Sequence, residues 1–377
     1  MKTIAIFSGY HLPHLGGIER YTDNLSKELV KKGYKVIIIS SDYQFDREYI
    51  KETEDITFLK IPVYKLFVSR YPIPKLNRDY KKVIEKLNEF KIDAIIVNTR
   101  FHLTSLVGAK YGKKNKIPVF LIEHGSQHLT VDNKVLDYFG SIYEHCLTIY
   151  VKRFVDYYYG VSKEACNWQK HFKINSDGVW YNSIKDFSKN YKIKKDGKKI
   201  NILYAGRILK QKGIIELVNS FNELTSDYNN IYLHIAGDGN LLETLKSENK
   251  NKNINFYGKL NFEDLCNLYA KTDIFVYAPN WPEGLPTGVL EAGLMDCAVI
   301  SSPQGGNKEI IEDNKNGIMI NNQNELTEAL KKLIDNPEIR LKYANNLKKK
   351  VLNNFEWSKT SEKIISDIKR GIKKYEK

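Results

Sequence analysis

The sequence predicts an α/β protein built from two doubly wound, Rossmann-like parallel-sheet domains of similar size. Three observations carry that prediction. The chain has 377 residues, more than one hydrophobic core usually organises. Short, unbroken apolar runs alternate with helix-length amphipathic segments in both halves. A charged stretch poor in apolar residues, KDFSKNYKIKKDGKK at 185–199, lies between the halves and reads as a linker or surface excursion.

The elements follow in order. TIAIFSG at 3–9 is a β-rich run ended by glycine. Beyond the loop YHLPHLGG, Ile18, Tyr21, Leu25 and Leu29 recur at helical spacing, and Gly33 supplies a stop. VIIIS at 36–40 is the next buried strand, so this region forms a βαβ unit, normally right-handed. IDAIIVN at 92–98 and IPVFLIEH at 117–124 are continuous apolar runs, as expected of central strands covered by helices on both faces. KINILYAGR at 199–207 opens the second series, followed by the helix IIELVNSFNEL. Further strands are expected at 231–239, 253–260, 273–279 and 298–302. The predicted domains are 1–185 and 199–355, with a polar helix at 356–377 returning to the first. Open parallel sheets bind ligands at the carboxyl ends of their strands, so both domains are expected to face a central cleft.

Composition narrows the class. A 42% hydrophobic fraction suits sizeable cores and argues against disorder. Cys146, Cys166, Cys266 and Cys297 are scattered, without a CxxC pair or a Cys/His cluster at metal-ligand spacing. They read as reduced, mostly buried thiols of a cytoplasmic protein. The apolar stretch in MKTIAIFSGYHLP is too short for a signal peptide, and no run is long enough to span a membrane. The net charge of +14 suits an anionic partner: a phosphate, an acidic lipid surface or a nucleic acid.

The most informative stretch is APNWPEGLPTGVLEAGLMDCAVISSPQGGNKEI at 278–310. Pro282, Gly284, Pro286 and Gly288 constrain a loop after a strand, and VLEAGLMD begins a helix. Backbone N–H groups around Thr287, Gly288 and Val289 can receive phosphate oxygens at that helix start, and Leu285 and Pro286 of the loop before it are further donor-binding candidates. Glu283 precedes the helix and Glu291 lies about one turn into it. Carboxylates repel phosphates but accept paired hydrogen bonds from vicinal hydroxyls, as a nucleotide sugar offers on both sides of its phosphates. One capping acid and one surface acid would give the same pattern.

Arg207 and Lys212, in YAGRILKQKG, follow the first strand of the second half. Fixed cations there would stabilise a departing pyrophosphate more than the intact donor, unless they are ordinary surface cations. Gly16 and Gly17 precede the first helix, where bare backbone approaches a ligand or makes a plain turn. His124 follows a central strand and can hydrogen-bond a substrate hydroxyl or serve structure. His11, His14 and His128 lie on other loops as acceptor candidates. AGDGNLLETL contributes Gly237, which with Gly258 and the backbone near Leu260 would line a nucleoside pocket. QGGNKEI supplies Gly305 and Gly306 after the next strand, where the plain alternative is merely the start of a helix. GxGxxG, GxxxxGK[ST] and HExxH are all absent, which disfavours nicotinamide and P-loop chemistry.

Taken in order, GGIERYTDNLSKELVKKGYKVIIIS, IEHG, YAGRILKQKG, HIAGDG and EGLPTGVLEAGLMDCAVISSPQGGNKEI resemble glycosyltransferase family 4, a retaining family with the GT-B fold. FEWSKTSEKI at 355–364 is similar to its closing helix. The resemblance implies that Glu283 contacts the transferred sugar, Glu291 the ribose, and Arg207 and Lys212 the pyrophosphate. It assigns Gly16 to phosphate and sugar and His124 to the donor sugar near the reacting carbon. It implies no bound metal or other cofactor, and same-face attack with the donor phosphate taking the acceptor proton. One departure is YNSIKDF, where Ser183 stands for the family's glycine and leaves Asn182 without a clear binding role.

Two rivals share some of these features. A nucleotide-sugar epimerase uses the same frame but needs no acceptor. A nucleic-acid-binding protein would explain the charge but needs a basic groove with stacking platforms, and the basic residues here are dispersed. No nucleic acid partner is therefore expected. Residues 60–91 hold nine Lys/Arg against three Asp/Glu, with Tyr64, Phe67 and Tyr71. Such a surface suits an anionic bilayer, and with the resemblance suggests a polyprenyl-diphosphate-linked saccharide acceptor in cell-surface polysaccharide synthesis. A solvated helix with Val83, Leu87 and Phe90 packed inward accounts for the same pattern.

Overall fold

A computed structural model describes residues 1–14, 16–64, 71–130 and 133–376. The chain divides into two compact units, Met1–Asn182 with Trp357–Lys377, and Ser183–Glu356.

The first unit runs β1 (Thr3–Phe7), α1 (Gly17–Lys31), β2 (Lys35–Ser41), β3 (Ile50–Glu52), β4 (Ile56–Ile61), α2 (Arg78–Asn88), β5 (Ala94–Asn98), α3 (Leu103–Lys114), β6 (Val119–Glu123), α4 (Lys134–Val151), β7 (Tyr157–Gly160), α5 (Lys163–Gln169) and β8 (Gly178–Val179). Its sheet order is β3-β4-β2-β1-β5-β6-β7-β8, parallel except for the antiparallel β3–β4 edge. Every residue of β1, β5 and β6 is buried, because helices cover both faces. Burying one such Val, Ile, Leu or Phe side chain contributes about 1.5–3 kcal/mol.

The second unit runs β9 (Ile200–Ala205), α6 (Ile214–Leu224), β10 (Ile231–Ala236), α7 (Leu242–Glu248), β11 (Ile254–Gly258), α8 (Phe262–Tyr269), β12 (Ile274–Tyr277), α9 (Thr287–Leu294), β13 (Ala298–Ser301), α10 (Asn307–Ile310), β14 (Ile318–Met319), α11 (Gln323–Asp335) and α12 (Pro337–Asn354). Its six strands are ordered β11-β10-β9-β12-β13-β14 and pair in parallel. Strand order reverses between β9 and β12, the position at which open α/β sheets build their sites.

The last helix, α13 (Trp357–Tyr375), belongs to the first unit. Its Trp357, Ile364, Ile365, Ile368 and Ile372 join Tyr21, Leu25 and Trp180 in one core. Trp180 Nε1 donates to Asp367 Oδ2 at 2.9 Å, and Tyr21 Oη donates to the Trp180 carbonyl at 3.1 Å.

Several sequence expectations change. Of the two readings of 185–199, linker or surface excursion, the second holds: Phe187 is buried, and the Lys194 N–H donates to the Ala270 carbonyl at 2.8 Å. Lys189, Lys192, Lys198 and Lys199 stay exposed, while Lys195 donates to the Asp296 carbonyl and ties the stretch to the second unit. The thiols are not mostly buried, since Cys146 is exposed and Cys166 half-buried. Within 60–91, Val63 bridges Pro74 in antiparallel fashion and α2 buries Val83 and Leu87. Phe67 lies outside the described residues.

Candidate active site

The site of the second unit grows from the carboxyl ends of β9 and β12. Their ladder covers Ile274↔Ile202 and Phe275↔Leu203. Beyond it the rings of Tyr204 and Tyr277 stack at 6.4 Å. Tyr204 Oη donates to the Arg207 carbonyl at 2.7 Å, folding the loop after β9 back on its strand. Lys212 ends the turn Lys210–Lys212, and Gly213 follows with φ 73°. A Cβ on Gly213 would lie 2.1 Å from the Ala278 carbonyl oxygen, so a bare left-handed residue is required where this loop meets the end of β12.

Three side chains converge there. Lys212 Nζ pairs with Glu283 Oε1, and Tyr277 Oη donates to Glu283 Oε2 at 2.6 Å. Lys212 Nζ also donates to Tyr277 Oη at 3.4 Å. Burial, and then the nearby Arg207 charge, push the Lys212 ammonium down to about 8. The carboxylate in contact with it acts in the opposite sense, so Lys212 is cationic at neutral pH. Arg207 itself is exposed.

The loop carrying Glu283 is held from below. Gly305, at φ 54°, packs under Glu283, and the Gly306 N–H donates to the Gly284 carbonyl at 2.8 Å. The loop continues through Leu285, Pro286, Thr287 and Gly288 into α9, whose first N–H groups lack intrahelical acceptors. Glu291 is 7% exposed and accepts from Tyr269 Oη at 3.3 Å. Its carboxylate is therefore fixed, whereas Glu283 belongs to the Lys212–Tyr277 cluster. Gly237, at φ 145°, sits against the Gly206 carbonyl and donates its N–H to the Gly258 carbonyl at 2.8 Å. That contact knits together the loops after β9, β10 and β11. Leu260 is half-buried just beyond.

In the first unit, His124 follows β6 and its Nε2 lies 2.9 Å from Asn98 Oδ1. The Asn98 amide donates to Thr22 Oγ1 at 2.8 Å, which leaves its oxygen to accept from His124. Nε2 therefore carries the proton of the neutral ring and Nδ1 is the acceptor. Burial, and then His102, push the imidazole down to about 3, so it is uncharged at neutral pH. Gly16 caps α1 and Gly17 opens it. His14 Nδ1 lies 3.2 Å from Glu19 Oε1, and the His14 ring stacks on Tyr10. His11 is buried with its ring against Phe58, a packing position. His128 is drawn into a histidine cluster by Glu144, at 2.9 Å.

Residues 15–185 match the family model described as Glycosyltransferase Family 4, and residues 186–350 match Glycosyl transferases group 1. The chain belongs to the family 4 glycosyltransferases. An uncharacterized glycosyltransferase of Methanocaldococcus jannaschii is 27% identical over 375 residues, covering 95% of each chain. A Campylobacter jejuni enzyme is 25% identical over 380 residues, covering 94% of this chain and 96% of its own. It is named GalNAc-alpha-(1->4)-GalNAc-alpha-(1->3)-diNAcBac-PP-undecaprenol alpha-1,4-N-acetyl-D-galactosaminyltransferase. Among solved structures, Anabaena HepE in complex with UDP aligns with a TM-score of 0.76 at 16% identity, covering 98% of this chain and all of that one. The fold is GT-B.

In this glycosyltransferase, sequence reasoning missed Tyr277, Tyr269 and Asn98. Tyr277 and Asn98 each end a strand at its carboxyl terminus, the one signal that pointed to them. Tyr269 ends a helix and carried no such mark. Gly305 was legible by its place after a strand, but what it touches is distant in sequence.

Proposed function

We propose that this glycosyltransferase moves a hexosyl or acetamido-hexosyl group from a UDP-sugar to a hydroxyl of a lipid-linked saccharide, with retention of anomeric configuration. The observation that carries the reading is the Lys212–Tyr277–Glu283 cluster at the strand-order reversal of the second unit. Lys212 and Arg207 take the pyrophosphate, whose charge grows as the glycosidic bond to phosphate breaks. Glu283 accepts hydrogen bonds from the transferred sugar, exchanging Lys212 for sugar hydroxyls when donor arrives. Glu291, already oriented by Tyr269, accepts from the ribose. Leu285–Gly288, Gly237, Gly258 and the backbone near Leu260 line the donor.

His124 offers a neutral imidazole to the transferred sugar. Gly16 and Gly17 bring bare backbone to phosphate and sugar, and His14 is assigned to the acceptor. The acceptor oxygen bonds to the anomeric carbon on the face that the phosphate leaves, and its proton passes to that phosphate. No protein base is required. Positive charge comes from Arg207, Lys212 and the start of α9, so transfer uses no metal. UDP is supported by the HepE complex, and a polyprenyl-diphosphate acceptor by the name of the Campylobacter relative.

A lipid-linked acceptor calls for docking at an anionic membrane surface. No helix among the described residues is long and apolar enough to cross a membrane. The surface suited to docking is α4, which exposes Val135, Leu136, Tyr138, Phe139, Ile142, Ile149 and Tyr150. Tyr71, from the 60–91 segment, packs on Tyr143 of α4 with ring centroids 5.0 Å apart. The basic segment and the apolar helix thus adjoin.

The test is a panel of nucleotide sugars, each incubated with purified protein alone and with lipid-linked saccharide acceptors. Acceptor-dependent product with stoichiometric UDP release supports the reading. Interconversion of donor sugars without acceptor would establish the epimerase instead.

A further inference from the structure

From the geometry of three histidines we infer that the first unit holds a binding site for a divalent, imidazole-preferring metal ion, represented by zinc. His128 lies on the segment after β6, His145 on α4, and His171 in the turn Lys170–Phe172 that follows α5. One nitrogen from each ring lies within 4.8 Å of the others. His145 Nε2 and His171 Nε2 are 3.2 Å apart. Two imidazoles on one tetrahedral zinc, with Zn–N about 2.0–2.1 Å, hold their nitrogens about 3.3–3.4 Å apart. One edge of the site is therefore already at coordination distance. The other two edges lie within 4.8 Å and would shorten on coordination, at residues that are half-buried or exposed.

A second observation points the same way. Glu144, 1% exposed, lies 2.9 Å from His128 Nδ1 through Oε2 and accepts from the Leu129 N–H at 3.0 Å through Oε1. A carboxylate fixing one ring nitrogen leaves Nε2 to face a metal, which is the outer-shell arrangement that orients metal-bound histidines. Arg100 lies nearby, but its guanidinium is matched by Glu144 at 2.9 Å and Glu123 at 3.4 Å. His171 is further braced by stacking on Trp168, with centroids 4.7 Å apart. The ligand set is all imidazole, which suits zinc, copper or nickel and not magnesium or calcium. Three protein ligands leave a fourth position for water. The ion would tie the turn after α5 to α4 and to the segment that leads into it.

The test uses the full chain without a polyhistidine tag, stripped with chelator and titrated with zinc against a competing chromophoric chelator. One equivalent is expected to bind and to raise the melting temperature. His145→Ala and His171→Ala should each weaken binding by at least about 100-fold, the upper range for losing even an outer-shell partner. Cys146→Ser, next to His145, should leave affinity unchanged. His171 is exposed, so that variant keeps its fold, and the cobalt-loaded protein gives a tetrahedral visible spectrum if it does not bind through scattered surface groups. Equal zinc affinity in wild type and His171→Ala would overturn the inference, as would loss of binding in Cys146→Ser.

Discussion

A Cβ placed on Gly305 would lie 1.8 Å from the carbonyl oxygen of Glu283. The loop bearing the proposed sugar-binding carboxylate therefore rests directly on a residue with no side chain, and that residue is also left-handed at φ 54°. Gly305→Ala must displace the Glu283 loop and adopt a conformation that costs about 1–2 kcal/mol. We expect transfer (kcat/KM) to fall about 100-fold, equivalent to about 2.7 kcal/mol of transition-state stabilisation. Steady-state kinetics beside a thermal melt checks this; unchanged kcat/KM would mean the loop position is not critical.

Tyr277→Phe removes the hydroxyl that donates to Glu283 at 2.6 Å. A hydrogen bond to a charged group is worth about 1.5–3 kcal/mol, so kcat should fall about 10- to 100-fold. The affinity for free UDP should stay within a few-fold, because Tyr277 acts on the sugar end through Glu283. A large loss of UDP affinity would move Tyr277 to the nucleotide side.

Lys212 supplies the pH dependence. Its folded value is depressed to about 8, so the cation is present below that pH and lost above it. Because kcat/KM reports the free enzyme, its profile should fall on the alkaline side with a midpoint near or somewhat above 8. Lys212→Arg stays cationic at all working pH and should remove that alkaline limb. A limb that persists unchanged in Lys212→Arg belongs to another group.

Docking through α4 predicts co-sedimentation with anionic vesicles at low salt, reduced at high salt. Phe139→Asp with Ile142→Asp places charge on the exposed face of α4 and should abolish it. Equal recovery of the double variant and wild type on vesicles would exclude this helix as the contact.

Most central strands were legible because helices on both faces demand unbroken apolar runs, as in TIAIF and AIIVN. The interior strands β4 and β7, each only partly buried, were not predicted, and neither were the short edges β3, β8 and β14, of three, two and two residues. Those edges are defined by their partners and carry too few residues for a pattern. The apolar outer face of α4 also escaped notice, since an apolar run does not say which side stays in water. Glu283 and Glu291 were visible by their spacing after a strand. Of what holds them, Tyr269 and Gly305 reach across segments that sequence order separates, and Tyr277, six residues before Glu283, depends on how the loop between them folds back. The histidine cluster is the extreme case: His145 and His171 touch although 26 residues apart.

The division of labour between the two carboxylates is the centre of the account, and calorimetry with free UDP tests it most directly. Glu291→Ala should weaken UDP binding by about 10-fold or more, from lost ribose hydrogen bonds worth about 1.5–3 kcal/mol. Glu283→Gln should leave UDP affinity within a few-fold of wild type while transfer collapses. Equal losses of UDP affinity in both variants, or no UDP binding by the wild-type chain, would contradict it.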